Sequence, residues 1–600
     1  MTLEMILVLA VLTVAILMFI FEWVRVDVVG IIMMVSLPLL GLVTPEMAIS
    51  GLSSNAVVSI IAVIIIGAGL DKTGVMNSLA RLILKVAGKS RNRIMVLISS
   101  TVAFLSSFMQ NIGAAALFLP AAKRIARQTK IPVSRLLIPM GFCAIIGGDL
   151  TLIGASPLIM LNDLMEIFNA DVEHFGLFSV TPVGIALIIA ALIYFIILGR
   201  FILPSSEGEE VSGPMSKILQ GTYENVGTLF EIHIPEDYRG KTVLQDLQIR
   251  PRYFTSVVAV AGSDKKRNFA PDRDTEIAPG DDIAVVGSSE MIQKMVEDHN
   301  WELRSDLSTF AEDLSPNNAG IIEAIITPRS ELARKTMREF RFRKKYQVNP
   351  LAIFRGNKML VGGISDIRLQ PGDALLLQGR WEQFHNLKEK PDLAFTEAVQ
   401  GEILRTHKAL PAISCLVIAL IMIMGFQVQL SIALLTGALG MVLTKVLSID
   451  EAYHAVDWMT VFLLGGLIPL GIAFEQTGTA KFIADSIMGS MGTVSPIILL
   501  TVIGILTSFF TLVASNVGAA VLMVPLSMNM TASAGADPRM AALVVGLACS
   551  NTFILPTHQV NALIMRPGGY KTVDYFKAGA GLTILYLVVM MAVIYFFYGI

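Results

Sequence analysis

Cysteine is nearly absent from this 600-residue chain, and charge is thin. The three cysteines, Cys143, Cys415 and Cys549, each sit inside an apolar stretch. None shows Cys-x-x-Cys or Cys/His spacing, which excludes a disulfide framework and a zinc site and leaves packing as their role. Charged residues make up 16% of the sequence against 54% hydrophobic, and the mean hydropathy of +0.67 is far from a soluble globular balance. The net charge of -2 comes with no basic tail, so nothing suggests a nucleic-acid partner. Also missing are a Walker loop, a Gly-x-Gly-x-x-Gly after a strand and any Ser/His/Asp grouping in the polar middle, which disfavours an enzyme or an ATP-driven machine.

What the chain has instead is long apolar runs on both sides of a polar middle, such as "MILVLAVLTVAILMFIFEWV" and "ALPAISCLVIALIMIMGF". Runs of ~20 apolar residues cross a hydrocarbon core of ~30 Å, so the lipid bilayer is a partner of this chain. The first run lacks a basic n-region and is too long for a signal peptide, so it reads as a span. Charge informs through placement, because cytoplasmic loops collect Lys and Arg. "TPEMAISGLSS" has no basic residue, whereas "DKTGVMNSLARLILKVAGKSRNR" carries six; the first is expected outside and the second inside. An element entering near Ile94 and leaving at "KRIARQTK" has two basic ends and therefore turns back within the membrane. Spans at about 135–155 and 178–203 return the chain to the inside, which makes the polar middle, residues 204–407, cytoplasmic. In the second half, spans at about 408–425, 428–445 and 459–474 bring the chain out, so a second hairpin opens outward.

The two hairpins carry one phrase written twice: "SFMQNIGAAALFLP" from residue 107 and "LVASNVGAAVLMVP" from residue 512. Asn111 matches Asn516, Gly113-Ala114-Ala115 matches Gly518-Ala519-Ala520, and Pro120 matches Pro525, all at an offset of 405. The match continues without a gap over about 57 residues, to Leu158-Ile159-Met160 and Leu563-Ile564-Met565. With the opposed charge pattern, this is an inverted-topology repeat. The polar middle holds two further overlayable units, each ending in Pro-Gly-Asp before an alternating strand and Gly, and reads as two small α+β modules.

Inverted repeats with interrupted helices place transport sites near the bilayer midplane. A hairpin tip with Ser/Gln-Asn-x-Gly offers carbonyl and hydroxyl oxygens for Na+ and helix N-termini for an anion. The other reading of each Asn is a hydrogen bond to a neighbouring helix. Second interruptions follow in "GGDLTLIGASPLIM" and "SNTFILPTHQVNALIM", where Gly, Pro and small polar residues permit close backbone approach.

These phrases, with "QVNALIMRPGGYKTVDYFKAG", resemble the divalent anion:sodium symporter family (solute carrier family 13), in its sulfate-permease-like branch, across both membrane halves. The polar middle resembles two RCK C-terminal (TrkA-C, RCK_C) domains. The resemblance implies an all-α polytopic membrane protein of two inverted-topology repeats with re-entrant hairpins, the ion transporter superfamily fold, interrupted by two cytoplasmic α+β domains. The expected division is repeat 1 over 1–203 (hairpin about 94–130), RCK_C domains over 204–299 and 300–400, and repeat 2 over 401–600 (hairpin about 494–535), with about ten full spans in all. It implies two Na+ sites, one with Ser106, Asn111 and Gly154 and one with Thr511, Asn516 and Thr557. Substrate contacts are expected from Gln110, Asn111, Ser156, Ser515, Asn516 and His558. The family's Ser-Asn-Thr motif here reads Gln110-Asn111-Ile112 and Ser515-Asn516-Val517; without the threonines, a small divalent oxyanion such as sulfate is favoured over a dicarboxylate. His558 also reads as a buried structural histidine, and Asp149 as a proton or cation carrier or as a group serving only through its backbone. The resemblance further implies a homodimer in the inner (plasma) membrane and a small-molecule regulator on the RCK_C domains. A cation/proton antiporter of the same superfamily is the alternative class.

Overall fold

The computed structural model describes residues 1–600 apart from 22, 76–89, 130, 170–171, 205–227, 263–266, 305–306, 308, 311–312, 315–317, 357, 361, 389, 397–404, 493, 514 and 600. The chain divides into two units: residues 1–211 with 405–600, and residues 212–404.

The first unit is helical, and its helices recur in the same order in each half. Val26–Leu39 corresponds to Leu430–Leu443, Asn55–Lys72 to Trp458–Gln476, Arg91–Ser106 to Pro496–Val513, Asn111–Thr129 to Asn516–Ser533, and Ser134–Gly147 to Pro538–Ala548. Small residues let these helices touch through their backbones. A Cβ on Gly30 would lie 2.3 Å from the Phe462 carbonyl, and one on Gly466 would lie 2.1 Å from the Gly30 carbonyl, so Val26–Leu39 and Trp458–Gln476 cross with no side chain between them. Helix Thr181–Ile202 shows how composition sets its faces: Val183, Leu187, Ala191 and Phe195 are buried, while Ile185, Ile189, Ile193 and Ile197 form an exposed apolar stripe fit for lipid. Its inner face meets helix Thr572–Tyr598, where the Tyr194 hydroxyl donates to the Ala578 carbonyl at 2.9 Å.

The span count differs from the sequence reading. Among the described residues, five helices are long and apolar enough to cross a membrane: Pro45–Lys72, Thr181–Ile202, Thr406–Gly425, Trp458–Gln476 and Thr572–Tyr598. Five other apolar helices have 10–17 residues. The stretch read as a span over 135–155 stops at Gly147, because there the chain packs backbone to backbone: a Cβ on Gly147 would lie 2.3 Å from the Ala103 carbonyl, and one on Gly154 2.6 Å from the Gly148 carbonyl.

The second unit holds two five-stranded antiparallel sheets of identical order. Strands β1 (Thr228–His233), β2 (Ser256–Ala261), β3 (Arg267–Phe269), β4 (Asp282–Gly287) and β5 (Glu302–Leu303) form the first, in the order β3-β2-β4-β1-β5. Strands β6 (Ala319–Ile326), β7 (Asn349–Arg355), β8 (Lys358–Leu360), β9 (Ala374–Arg380) and β10 (Leu393–Phe395) form the second, in the order β8-β7-β9-β6-β10. The Pro-Gly-Asp turns are built alike. Gly280 and Gly372 take φ of +85° and +89°, and Asp281 and Asp373 accept the Ala278 and Gln370 N–H groups, each at 2.8 Å. Strand β2 is buried throughout because Val258, Ala259 and Val286 of the first sheet pack with Leu351, Ala352 and Leu376 of the second. That is why β2 reads as a continuous apolar run and not as an alternation.

Candidate transport site

Both repeated phrases mark a break between two helices. Helix Arg91–Ser106 ends, residues 107–110 turn, and Asn111 opens helix Asn111–Thr129. In the second half, Pro496–Val513 ends and Asn516 opens Asn516–Ser533. Ser515 is the N-cap there, its Oγ accepting the Gly518 N–H at 3.1 Å. Gln110 holds the equivalent place in the first hairpin, and its carbonyl accepts the Ala114 N–H at 3.1 Å.

Each asparagine meets a hydroxyl from the helix before it. The Ser106 hydroxyl donates to Asn111 Oδ1 at 2.7 Å, and the Thr511 hydroxyl donates to Asn516 Oδ1 at 2.8 Å. The Thr511 hydroxyl also lies 2.9 Å from the Cys549 carbonyl, which adds a third oxygen to the second cluster. At the first cluster the interrupted segment presses its backbone onto the amide. A Cβ on Gly148 would lie 2.8 Å from Asn111 Oδ1, and Gly154 in turn packs on Gly148. The Thr151 hydroxyl fixes this contact by donating to the Ser107 carbonyl at 2.5 Å. Ser106, Asn111 and Gly154 therefore share one neighbourhood, and Thr511 and Asn516 share another. Uncharged amide, hydroxyl and carbonyl oxygens beside unwound backbone are the donor set that transporters use for Na+. The residues fit such a co-substrate: both oxygens of each hydroxyl–amide pair would be available as ligands once the hydroxyl hydrogen turned away. Two helix N-termini at the same breaks leave backbone N–H groups for an anion.

The remaining expected residues lie elsewhere in the hydrogen-bond pattern. Ser156 opens the four-residue helix Ser156–Ile159, and Thr557 is exposed. His558 is the N-cap of helix Gln559–Gly568, its Nδ1 accepting the Val560 N–H at 3.1 Å, which places the ring proton of the neutral form on Nε2. Among the hydrogen bonds of the described residues, none joins the side chain of Ser156, Thr557 or His558 to either hairpin. Asp149 is fully buried and accepts from the Ser550 hydroxyl at 2.7 Å and the Tyr586 hydroxyl at 2.9 Å. It thus ties the interrupted segment of one half to that of the other, without touching the hairpin amides.

Residues that the motif reading did not single out complete the picture. Asn551 donates to the Ser508 hydroxyl at 3.0 Å and Asn561 to the Thr552 carbonyl at 3.0 Å, and both amide oxygens are buried without a partner among the described residues. Buried polar atoms of this kind concentrate at functional sites. The run Ser550-Asn551-Thr552, just past the end of the apolar helix Pro538–Ala548, was the available signal. Gly148 and Thr151 lie in the interruption "GGDLTLIGASPLIM", whose small and polar residues were the signal.

A helical unit with paired breaks, each lined by uncharged oxygens, defines a membrane transporter. The chain belongs to the family described as "CitMHS: Citrate transporter", whose model matches residues 16–546. It is 32% identical over 605 residues to the uncharacterized transporter sll0640 of Synechocystis sp., covering 99% of this chain and 97% of that one. It is 30% identical over 618 residues to the uncharacterized transporter YfbS of Escherichia coli, covering 98% of each. "Sodium/sulfate cotransporter 2" of Chlamydomonas reinhardtii is 24% identical over 379 residues, 59% of this chain and 41% of that protein.

Proposed function

We propose that the protein is a secondary active transporter that carries a small divalent oxyanion, sulfate foremost, together with Na+. The observation that carries this reading is the pair of hydroxyl–amide contacts, Ser106 to Asn111 and Thr511 to Asn516, one in each half. In this reading each pair holds one Na+, with the Gly154 region and the Cys549 carbonyl supplying backbone oxygens. The anion lies between the two helix N-termini, within reach of Gln110, Asn111, Ser515 and Asn516. Ser156 and His558 add contacts to the anion, and Thr557 to the second Na+. The bound cations offset the anion's charge, so no buried Lys or Arg is needed, and the sodium gradient drives uptake. The two halves act as inverted repeats in the inner membrane. The inserted residues form two cytoplasmic RCK_C-type modules that regulate transport, and the protein assembles as a homodimer.

A second reading, a di- or tricarboxylate as substrate, is favoured by the description of the family. Against it, Ile112 and Val517 follow the two asparagines, so neither break offers a hydroxyl at the next position. An antiporter with Asp149 or His558 as proton carrier is a further reading, in which Asp149, held by two neutral hydroxyls, or His558, which caps a helix N-terminus, would carry the proton. Uptake of labelled sulfate into proteoliposomes under an inward Na+ gradient, challenged in turn by thiosulfate, molybdate, succinate and citrate, tests the proposal. Competition by the inorganic oxyanions alone is expected. Competition by citrate or succinate at lower concentration would establish the carboxylate reading instead.

A further inference from the structure

The second unit contains a cavity of about 630 Å³ at the junction of its two sheets. Its walls come from corresponding places in the two halves. Helix Ile249–Tyr253 follows β1, helix Phe342–Tyr346 follows β6, and each is five residues long. Each is flanked on both sides by left-handed residues, Gln248 and Phe254 in one case and Arg341 and Gln347 in the other. The second residue of each helix is an arginine, Arg250 or Arg343, and both line the cavity. Each reaches across to the other half: Arg250 donates to the Leu351 carbonyl at 2.8 Å, and Arg343 to the Pro271 carbonyl at 2.8 Å.

The charge of these arginines is left largely unanswered. Neither has a carboxylate within ion-pair distance among the described residues, and the buried Nε of Arg250 has no hydrogen-bond partner there. Burial pushes the Arg250 guanidinium down to about 9, and the neighbouring Arg343 charge adds to the effect. Burial likewise brings Arg343 down to about 10, against the opposing pull of Asp272. With these two included, the cavity wall holds six basic side chains and two acidic ones, Asp272 and Asp274. Of the basic six, Arg273 is matched by Asp274 and Arg338 by Asp366, while Arg341 and Lys344 are not so matched. Two half-buried guanidiniums repelling each other in an open cavity gain from an anion that accepts from both, because the planar fork matches phosphate oxygens in pairs. A volume within the ~300–1,000 Å³ range of small-molecule sites fits an organic ligand better than an inorganic ion. Apolar surface from Pro251, Met337 and Pro350 is present for its uncharged part, and the two aspartates can accept from its hydroxyl or amino groups.

We propose that this cavity binds a phosphorylated small molecule of nucleotide size, held through its phosphates by Arg250 and Arg343. The proposal rests on the reading of this unit as a regulatory, ligand-binding one, but its test does not depend on transport. The whole protein, purified in detergent at fixed ionic strength, is titrated by calorimetry with ATP, ADP, AMP, pyrophosphate, phosphate and sulfate. Saturable binding of at least one nucleotide is expected, weakened tenfold or more by Arg250→Gln and by Arg343→Gln and partly restored by Arg250→Lys. Nucleotide binding that survives both glutamine substitutions together would overturn the assignment. So would the absence of saturable binding of any nucleotide to the unaltered protein, or phosphate binding as tightly as the nucleotides, and neither of these outcomes requires a folded variant; sulfate, the proposed cargo, reports on the transport site. Sodium-driven uptake without nucleotide binding would refute this site alone, and nucleotide binding without uptake would refute the transport reading alone.

Discussion

Gly148→Ala probes the first of the two proposed cation clusters by adding a single methyl group. The new Cβ would lie 2.8 Å from Asn111 Oδ1, 3.1 Å from Nδ2 and 3.2 Å from the Ala155 Cβ, where ordinary contact begins at 3.4 Å. The amide oxygen must therefore retreat by about 0.6 Å in a region packed at interior density. Binding constellations tolerate displacements of roughly 0.5 Å, so the Ser106–Asn111 oxygens move to or beyond that limit. We expect the half-saturating Na+ concentration for anion uptake to rise about tenfold or more, equivalent to ~1.4 kcal/mol. Overpacking is expected to cost ~1–3 kcal/mol of stability, so the amount of folded protein in each liposome preparation must be matched. The assay is uptake of labelled sulfate as a function of sodium. An unchanged sodium dependence in fully incorporated Gly148→Ala protein would refute the assignment of Asn111 Oδ1 as a cation ligand.

Other substitutions test separate parts of the account. Thr511→Ala removes the donor shared by Asn516 Oδ1 and the Cys549 carbonyl; it should raise the sodium requirement roughly tenfold, with Thr511→Ser close to unaltered, in the same titration. Asp149→Asn removes the charge, keeps an acceptor for one of the Ser550 and Tyr586 hydroxyls and turns an N–H donor to the other; it should leave uptake sodium-dependent, whereas loss of coupling would make Asp149 a carrier. In the second unit, Asp392 accepts from the Tyr346 hydroxyl at 2.7 Å and the Glu331 N–H at 2.8 Å. Burial alone would raise this carboxyl, but these bonds, with Ser330 and the Lys345 charge, bring it below the usual value. Such a carboxylate contributes stability above its unfolded value of ~3.9 and loses it as pH falls through the lower folded value. Asp392→Asn should therefore cost ~1–3 kcal/mol at neutral pH and progressively less toward acid, read by calorimetry of the whole chain in detergent across that range. Arg405→Lys gives up the two-pronged contact to Glu451, at 2.8 and 3.1 Å, and should lower the thermal midpoint without changing sodium dependence.

What was legible in the sequence was periodic or repeated. Asn111 and Asn516 could be found because each stands before Gly-Ala-Ala at one offset, and the structure places each beside the hydroxyl five residues earlier. The two Pro-Gly-Asp turns likewise marked two modules, and the sheets have the same strand order. Contacts between distant segments were not legible. Asp149 finds Tyr586 across 437 positions, and no local pattern announces that pairing. The length of the helix from Ser134 was also hidden, because what stops it is the backbone of Ala103 against Gly147, a clash seen only in three dimensions. The cavity arginines were missed for a related reason: the turns that present them use Gln248, Phe254, Arg341 and Gln347 at positive φ, where glycine or asparagine would have signalled a bend.

The central claim is that the two asparagines build two halves of one sodium-driven site. Its most direct test is labelled sulfate uptake into proteoliposomes, with and without an inward Na+ gradient, for the unaltered protein and for Asn111→Ala and Asn516→Ala at matched incorporation. The account expects gradient-dependent uptake that either substitution alone abolishes. Uptake indifferent to sodium, or surviving both substitutions, would contradict it.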